Sequence, residues 1–526
     1  MFQLSLPGAA VAAVLSIGCC FGTAAADSSL LWFDRGASNA ASARYVFLFI
    51  GDGMASPQIH ATEAYLAALQ TDDAEPGEVK AVKLHMSQFP YQGMQMSYAN
   101  DRLITGSAAA GTALACGMKT NIGVISMNPD ATEPCTTLAE AAKARGMRVG
   151  IVSSVSIDHA TPAVYYAHQP SRNNYEQIDF ELLNSDFDYF GGGGFRVNKW
   201  KNEAYADMSD AERYQVVEQI ATENGFVYAD TREEFEALQP PQRGWKGIRA
   251  IAVNPYLDGS NAIPYALNRE SGNYPGSITL AEFTAKGIEL LDNPRGFFMM
   301  VEGGKIDWAA HANDARAVID DTLAFDDAVA VALEFAQKHP RDTLIVVTGD
   351  HECGGMTLGF AGTAYDTYYE MLQGQTIAYD AFENEVLADY LDSHNPAPAD
   401  IDADMWQLIF DHFGLDCGGL TEDTADDLTD YEKSLLEDAF DKTVHGEDVN
   451  TEEENNVLYG YYDPLTVTIT HVLNKRAGLA FTSYSHTAVP VPVLAQGAGA
   501  SRFDGYYDNT DVAKKIADVM NVKIGQ

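Results

Sequence analysis

Residues 44–53 read RYVFLFIGDG, a short and almost wholly apolar run that ends in Gly51-Asp52-Gly53. Such a run is typical of a parallel strand buried on both faces. Similar runs predict further strands at 147–153, 297–301, 343–348 and 489–495, and helical patterns at 137–145, 279–291 and 314–338 precede or follow them. Strands that alternate with helices predict an α/β fold, a three-layer α/β/α sandwich around a mainly parallel sheet.

The 526-residue chain is long enough for a large α/β core that carries an insertion. Between residues 359 and 477 the alternation gives way to a Tyr-rich stretch and then to an acidic one. We therefore expect residues 27–358 and 478–526 to form the core. The acidic insertion at 359–477 is expected to serve as a lid or as a dimer interface.

Charge and the first residues bear on partners and compartment. The chain has 33 Lys plus Arg against 75 Asp plus Glu, a net charge of −42. This charge disfavours nucleic-acid binding and suits a solvated surface in high salt. Residues 1–26 are uncharged and largely apolar, which predicts a signal peptide cleaved after Ala26 and a periplasmic or secreted protein. Lipidation at Cys19 is the alternative, and the only route by which we expect a membrane contact.

Removal of the leader leaves Cys116, Cys135, Cys353 and Cys417, which allow three disulfide pairings. Cys116 and Cys135 are the nearest pair in sequence and the pairing we favour. We interpret Cys353 as a buried or disulfide-bonded thiol rather than a metal ligand.

Three predicted strands end in side chains suited to chemistry. Asp52 follows the first, Glu302 follows FFMMV, and Asp350-His351 follows LIVVTG. Ligands bind beyond the carboxyl ends of the strands in open α/β sheets, so these side chains are expected to converge at one edge.

A further pair extends this cluster. Asp307 and His311 lie four residues apart in a predicted helix, a spacing that lets both bind one metal ion. A helix-capping acid and a surface histidine would be the simpler interpretation of this pair alone. Mixed carboxylate and imidazole ligands suit zinc, and carboxylates suit magnesium. Two such metals can hold both oxygens of an in-line phosphoryl displacement, so phosphoryl transfer is the reaction class indicated.

Residues 104–117 read ITGSAAAGTALACG, a loop that enters an Ala-rich helix with Ser107 at its start. Ser107 fits either a plain N-cap or a nucleophile placed where a helix N-terminus binds an anion.

These motifs together resemble the alkaline phosphatase family. The matching stretches are 45–121, 146–172, 297–311, 344–355 and 485–497. The resemblance implies a hydrolase for phosphate monoesters, with two zinc ions and one magnesium ion, and a homodimer. It assigns roles to ten residues: Ser107 as the nucleophile that becomes phosphoserine; Arg172 as the phosphate-binding arginine; Asp307, His311 and His486 as the first zinc site; Asp52, Asp350 and His351 as the second; Thr161 and Glu302, with Asp52 bridging, as the magnesium site.

The sequence departs from the family pattern at three positions. Gly106 stands where many members have Asp, so we expect Arg172 to be held less firmly. His159 lies near the magnesium site and favours zinc there. Trp308 replaces a cationic or imidazole group of some relatives, and we expect weaker phosphate binding as a result.

Other functions remain as alternatives. A phosphodiesterase or sulfatase of the same superfamily is the nearest, although no Cys-x-Pro-x-Arg stretch provides a sulfatase nucleophile. A secreted acidic cation-binding protein with a vestigial site is the alternative from another class.

Overall fold

The protein is described by a computed structural model that covers residues 42–70, 81–240, 247–270, 272–394, 401–418, 420, 427–445 and 451–525. The predicted leader at 1–26, with Cys19, lies outside the described residues. No helix within the described part of the chain is both long enough and apolar enough to cross a lipid bilayer.

Ten strands form a single sheet. In chain order they are β1 (Tyr45–Gly51), β2 (Tyr91–Met96), β3 (Arg148–Ser153), β4 (Tyr189–Gly192), β5 (Phe226–Ala229), β6 (Arg249–Val253), β7 (Phe297–Gly303), β8 (Thr343–Gly349), β13 (Val491–Gly497) and β14 (Gly505–Asp508). Their spatial order is β14-β2-β13-β8-β1-β7-β3-β4-β6-β5. Four two-residue strands pair outside it: β9 (Glu352–Cys353) with β12 (His486–Thr487), and β10 (Thr357–Leu358) with β11 (Leu479–Ala480).

The sheet is mainly parallel, as predicted, with one exception. The run at 489–495 was expected to add a strand of the same kind. Instead β13 lies antiparallel to both of its neighbours, β8 and β2. It begins at Val491 and includes Pro492, which lies opposite Met94 of β2.

Helices cover both faces of the sheet. Those of the first half are α1 (Ser56–Ala68), α2 (Ser107–Cys116), α3 (Leu138–Ala144), α4 (Ala160–Ala163), α5 (Tyr175–Asn184), α6 (Asp210–Glu223), α7 (Arg232–Ala237), α8 (Ala266–Glu270) and α9 (Leu280–Leu291). The others are α10 (Lys305–His311), α11 (Ala315–Lys338), α12 (Tyr379–Ala381), α13 (Ala388–His394), α14 (Ala403–Phe413), α15 (Asp430–His445), α16 (Glu452–Tyr459), α17 (Pro464–Ala477) and α18 (Asn509–Met520).

The three helices predicted from sequence begin at capped positions. Thr137, Thr279 and Asp314 are the N-caps of α3, α9 and α11, and each side chain accepts a backbone N–H of the first turn. These caps satisfy N–H groups that a helix start leaves without a partner, which explains why the boundaries were readable from sequence.

Strand β1 shows why the sheet needs two covering layers. Its alternate residues Tyr45, Phe47 and Phe49 enter one hydrophobic core, and the residues between them enter another on the opposite face. The predicted sandwich is therefore confirmed, and strand β1 contributes side chains to both of its cores.

The segment between β10 and β11 contains α12 to α17. Its buried side chains, Leu372, Phe382, Ile409 and Leu465 among them, belong to the same hydrophobic core as Phe47 and Phe49. This segment is packed onto one face of the sandwich.

Cys116 and Cys135 form a disulfide with Cα atoms 6.0 Å apart, as favoured from sequence, and Cys353 is a buried free thiol.

Candidate metal and phosphate site

Three neighbouring strands bring carboxylates to one edge of the sheet. β8, β1 and β7 are adjacent in the sheet, so Asp350, Asp52 and Glu302 lie beyond or at their carboxyl ends. All three residues are fully buried. The convergence predicted from strand endings is what this register produces.

We call Asp52, Asp350 and His351 the strand-end group. His351 Nε2 lies 3.4 Å from Asp52 Oδ1 and 3.2 Å from Asp350 Oδ2. Asp350 Oδ1 accepts the backbone N–H groups of Gly53, at 3.2 Å, and His351, at 2.9 Å. The sheet backbone thus fixes one oxygen of Asp350 and leaves the other facing the imidazole.

We call Asp307, His311 and His486 the helix group. Asp307 and His311 lie on α10, with Asp307 Oδ2 3.3 Å from His311 Nε2. His486, on β12, places its Nε2 3.1 Å from His311 Nε2 and 3.6 Å from Asp307 Oδ1. A helix and a strand from distant parts of the chain therefore converge on one point.

The histidine tautomers indicate what belongs at that point. His311 Nδ1 lies 2.6 Å from the Tyr484 carbonyl oxygen, and His486 Nδ1 lies 2.8 Å from that of Thr105. A carbonyl oxygen only accepts, so each Nδ1 carries a hydrogen, and in the neutral ring each Nε2 is a bare lone pair. Two Nε2 atoms 3.1 Å apart beside a carboxylate favour a positive charge between them, which either a proton or a metal cation supplies.

A third group shares Asp52. Ligand atoms of Asp52, His159 and Glu302 all lie within 4.8 Å of one another. Thr161 Oγ1 donates to Asp52 Oδ2 at 3.3 Å, and Ser153 Oγ donates a short hydrogen bond to Glu302 Oε2. The carboxylate and hydroxyl oxygens suit magnesium, and the imidazole adds a ligand that suits zinc.

The three groups fit divalent cations. Among the described residues, four buried carboxylate oxygens at these groups lack a hydrogen-bond partner: Asp52 Oδ1, Glu302 Oε1, Asp307 Oδ1 and Asp350 Oδ2. Buried acceptors without donors are costly, and this cost disappears when cations fill the spaces they face.

Ser107 lies beside the strand-end group. It is the first residue of α2, and its Oγ is 3.5 Å from His351 Nε2. Gly106, not Ser107, is the N-cap, so the capping interpretation of Ser107 does not apply. The serine hydroxyl sits where N–H groups of a helix start are available to an anion.

Arg172 completes this cluster. Its Nη2 lies 2.8 Å from His159 Nε2, so the guanidinium has a defined partner although Gly106 offers no carboxylate. The Trp308 ring meets the His159 ring edge-on at 5.6 Å. The sequence-based prediction that Arg172 is held less firmly, made from Gly106, did not include this contact with His159.

Comparison with known proteins agrees with this geometry. The sequence model of the family described as Alkaline phosphatase matches residues 43–522. The chain belongs to the alkaline phosphatase family. Alkaline phosphatase 4 of Bacillus subtilis (strain 168) is 28% identical over 489 residues, which cover 91% of this chain and 89% of that protein.

Solved alkaline phosphatases share the fold. A cold-active alkaline phosphatase from Shewanella sp. matches with a TM-score of 0.69 at 25% identity, over 90% of this chain and 99% of that one. The Thermus thermophilus alkaline phosphatase matches with a TM-score of 0.68 at 25% identity, over 93% and 96%. The chain is therefore a phosphatase of the α/β type with groups suited to divalent metals.

In the absence of metal, burial and neighbouring charges shift the pKa values of the site residues in this phosphatase. Burial, with Asp350 next to it, raises the pKa of Asp52 well above its usual range, and burial with Asp307 raises that of Asp350 to about 7. Burial lowers the pKa of His311, but the Asp307 carboxylate outweighs it and the pKa rises to about 9. Protons would therefore compete with cations at both the strand-end group and the helix group.

The sequence did not reveal Glu352, a residue that positions one of the candidate metal ligands in this phosphatase. Buried Glu352 accepts from Gln58 Nε2 at 2.8 Å, from the Gly355 and Met356 N–H groups, and from Thr487 Oγ1 by a short bond. It ties β9 to β12 and thereby sets His486. The acid directly after the Asp350-His351 pair was the available signal.

Cys353 was not expected near metal. Its Sγ lies within 4.8 Å of ligand atoms of Asp307, His311 and His486. The β9–β12 pairing causes this, because it sets Cys353 opposite His486.

Proposed function

We propose that this protein hydrolyses phosphate monoesters through a phosphoserine on Ser107, with zinc at the helix and strand-end groups and magnesium or zinc at Asp52, Thr161, His159 and Glu302. The observation that carries this proposal is the position of Ser107 Oγ, 3.5 Å from His351 at the start of α2. A nucleophile, a cation site and free helix N–H groups meet there.

The chain's own residues have separate tasks in the reaction. Ser107 Oγ forms a bond to phosphorus as the bond to the leaving alcohol oxygen breaks, and the alcohol takes up a proton. Water then cleaves the phosphoserine, releasing phosphate and restoring the serine. Bound divalent cations would supply Lewis-acid stabilisation of the attacking and leaving oxygens.

Arg172 is suited to bind two phosphate oxygens with its planar guanidinium. His159 Nε2 holds that guanidinium through its contact with Arg172 Nη2. The N–H groups at the start of α2 add donors for the third oxygen. Because all of these contacts address the phosphoryl end, we expect broad use of monoesters.

The decisive experiment compares wild type with Ser107→Ala on p-nitrophenyl phosphate, with and without chelation followed by addition of zinc and magnesium. We expect metal-dependent turnover in wild type and a loss of about 1,000-fold or more in the variant. Ser434→Ala, on the distant helix α15, is the matched control. Mass spectrometry of acid-quenched enzyme should place phosphate on Ser107.

Two other outcomes would change the assignment. Turnover of bis-p-nitrophenyl phosphate or of a sulfate ester, with none of the monoester, would favour the diesterase or sulfatase alternative. Zinc binding without turnover of any ester would favour a cation-binding protein.

The remaining parts of the proposal concern the whole chain. Residues 1–26 would direct export to the periplasm or the medium, residues 27–358 and 478–526 would form the catalytic core, and the protein would be a homodimer. N-terminal sequencing of exported protein would report cleavage after Ala26. Light scattering on the purified protein would report the dimer.

A further inference from the structure

The angle of one proposed metal ligand depends on a residue outside the helix that carries it. His311 Nδ1 donates to the carbonyl oxygen of Tyr484 at 2.6 Å. A hydrogen bond at the far nitrogen of a metal-binding imidazole fixes both its tautomer and the direction of its lone pair. The position of Tyr484 therefore decides where His311 Nε2 points.

Tyr484 is in turn held by the segment at 359–477. Its hydroxyl donates a short hydrogen bond to the carbonyl oxygen of Leu458, near the end of α16. A Cβ added at Gly460 would lie 2.2 Å from the Tyr484 ring, so the ring rests directly on that glycine. The Tyr462 and His471 rings lie 6.3 and 5.9 Å from it.

A second connection runs through Asn313, two residues beyond His311. Asn313 has a left-handed backbone (φ 54°), and its side-chain amide donates to the carbonyl oxygens of Ala310 and Ser483, each at 2.9 Å. It thus ties the end of α10 to the residue before Tyr484.

Helix α17 of the insertion contacts both the side chain and the backbone of Asn313. His471 Nε2 lies 3.0 Å from Asn313 Oδ1 and donates to it, since the amide nitrogen is committed to carbonyls. Asn474 Nδ2 donates to the Asn313 carbonyl oxygen at 2.7 Å. Asn474 is fully buried, so this contact belongs to the packed interior.

We propose that the insertion positions the helix group, with the Leu458–Gly460 turn and the α17 residues His471 and Asn474 setting Tyr484 and Asn313, and through them His311, for zinc. This inference rests on the proposed metal function. It gives the insertion a role that neither a lid nor a dimer interface requires, because its contacts reach a ligand's partner within one chain.

The sharpest test uses a pair of glycines. Gly460 and Gly225 both have left-handed backbones (φ 61° and 82°) and both follow helices. Alanine at either site suffers similar backbone strain, but the Cβ at Gly225 meets nothing within 4 Å. Only Gly460→Ala pushes on Tyr484, so Gly225→Ala is the matched control for strain.

The readout is the rate of zinc release from full-length, zinc-loaded protein to a chromogenic chelator, with the phase that His486→Gln abolishes assigned to the helix group. We expect Gly460→Ala to speed that phase by about 10- to 100-fold, the range found for partners of metal-bound histidines, and Gly225→Ala to leave it unchanged. Equal rates in the two alanine variants would overturn the proposal.

Milder variants protect the test against a folding defect. Tyr484→Phe keeps the ring and the carbonyl group and loses only the hydroxyl, so we expect about threefold faster release, in line with one net hydrogen bond. His471→Leu should speed release, and His471→Gln, which keeps an N–H donor, should restore much of the wild-type rate. Wild-type release in all three would contradict the proposal.

Hydrolysis of p-nitrophenyl phosphate by the same preparations separates the two proposals. If the variants release zinc in the expected order but the wild type shows no turnover, the result would support the positioning role and contradict the phosphatase mechanism. An active wild type with no difference among variants would do the reverse. A wild type that binds no zinc would overturn both.

Discussion

The helix group and the strand-end group offer similar ligands but are built in different ways. Asp52 and His351 have fully buried side chains at ends of adjacent parallel strands. His311 and His486 are 27% and 15% exposed, and their Nδ1 atoms depend on carbonyl groups of Tyr484 and Thr105. A sheet edge places ligands through backbone register, whereas an assembled group needs remote segments to hold each ring. The two groups should therefore respond differently to substitution and to pH.

The largest expected effect is on the buried group. Asp350→Asn keeps the size of the side chain and removes a charge from a site that water cannot refill, so we expect kcat/KM to fall by about 1,000-fold. His486→Gln, in the more exposed group, should lose less. The measurement is p-nitrophenyl phosphate hydrolysis together with zinc content.

Asp326→Asn is the control for this comparison, because Asp326 is buried on α11 and binds His85 and Met86 away from the site. It should retain the activity of the wild type. A greater loss in His486→Gln than in Asp350→Asn would show that burial does not set the order.

The pH dependence of zinc affinity should also separate the groups. Zinc binds deprotonated ligands, so a raised pKa extends proton competition to higher pH. With the pKa of His311 at about 9, affinity at the helix group should fall below about pH 9 as one proton is displaced from this ring. In the strand-end group the pKa values of both Asp52 and Asp350 are raised, that of Asp350 to about 7, so below about pH 7 two protons are displaced and affinity should fall more steeply. Each displaced proton should lower zinc affinity by about tenfold per pH unit.

Competition titrations with a chelator across this range would measure both affinities. Asp326→Asn should show the same two pH dependences as wild type. Equal slopes of affinity against pH at the two groups below about pH 7 would contradict the distinction between the groups.

Glu352→Gln tests the tie between β9 and β12. The carboxylate accepts hydrogen bonds from four donors, and an amide would turn an N–H toward some of them. We expect zinc affinity at the helix group to fall by about tenfold, and the free energy of unfolding to fall by about 1–3 kcal/mol.

Thermal unfolding and zinc titration would check these two effects, with Glu437→Gln, at a half-buried position on α15, as the control. The strand-end group should change little, because its support comes from backbone N–H groups. A uniform loss at both groups would mean that Glu352 acts on the whole edge.

His159→Ala should act on phosphate binding. It removes the partner 2.8 Å from Arg172 Nη2, so we expect KM and the inhibition constant of phosphate to rise by about tenfold. Gly106→Asp in the same background should recover part of this affinity, because a Cβ at Gly106 meets only Ile122 at 3.8 Å. Gly106→Ala, which adds no carboxylate, should recover none.

Salt should produce the smallest effect. With a net charge of −42, self-repulsion is screened as ionic strength rises, so Tm should increase by a few degrees, about what 1 kcal/mol gives in a large domain. Sucrose of equal osmolarity is the control. A flat response of Tm to sodium chloride would remove the salt-tolerant interpretation of the acidic composition.

Several parts of this site were predictable because the signals are local. The apolar run before Asp52 predicted a buried strand, and the strand endings predicted which carboxylates would meet. The four-residue spacing of Asp307 and His311 predicted one helix face. Thr137, Thr279 and Asp314 marked helix starts, because a capping side chain acts within one turn.

Other parts had no local signal. The reversed direction of β13 follows from chain connectivity, which an apolar run does not encode. The adjacency of Glu352 to Asp350-His351 was a local signal for an acid near the site, but its partners Gln58 and Thr487 are far from it in sequence and were not readable. Arg172 was expected to be loosely held because Gly106 offers no carboxylate, and its contact with His159 had no signal in the sequence.

The sequence by itself determined the family, the sandwich and the residue types at the strand ends, since these depend on hydrophobic period, capping and motif order. Only the tertiary structure decided that the insertion reaches Tyr484 and Asn313, and that the Nε2 atoms of His311 and His486 face each other. These contacts join residues 26 to 175 positions apart in sequence, and their geometry depends on packing between elements rather than on any pattern along the chain.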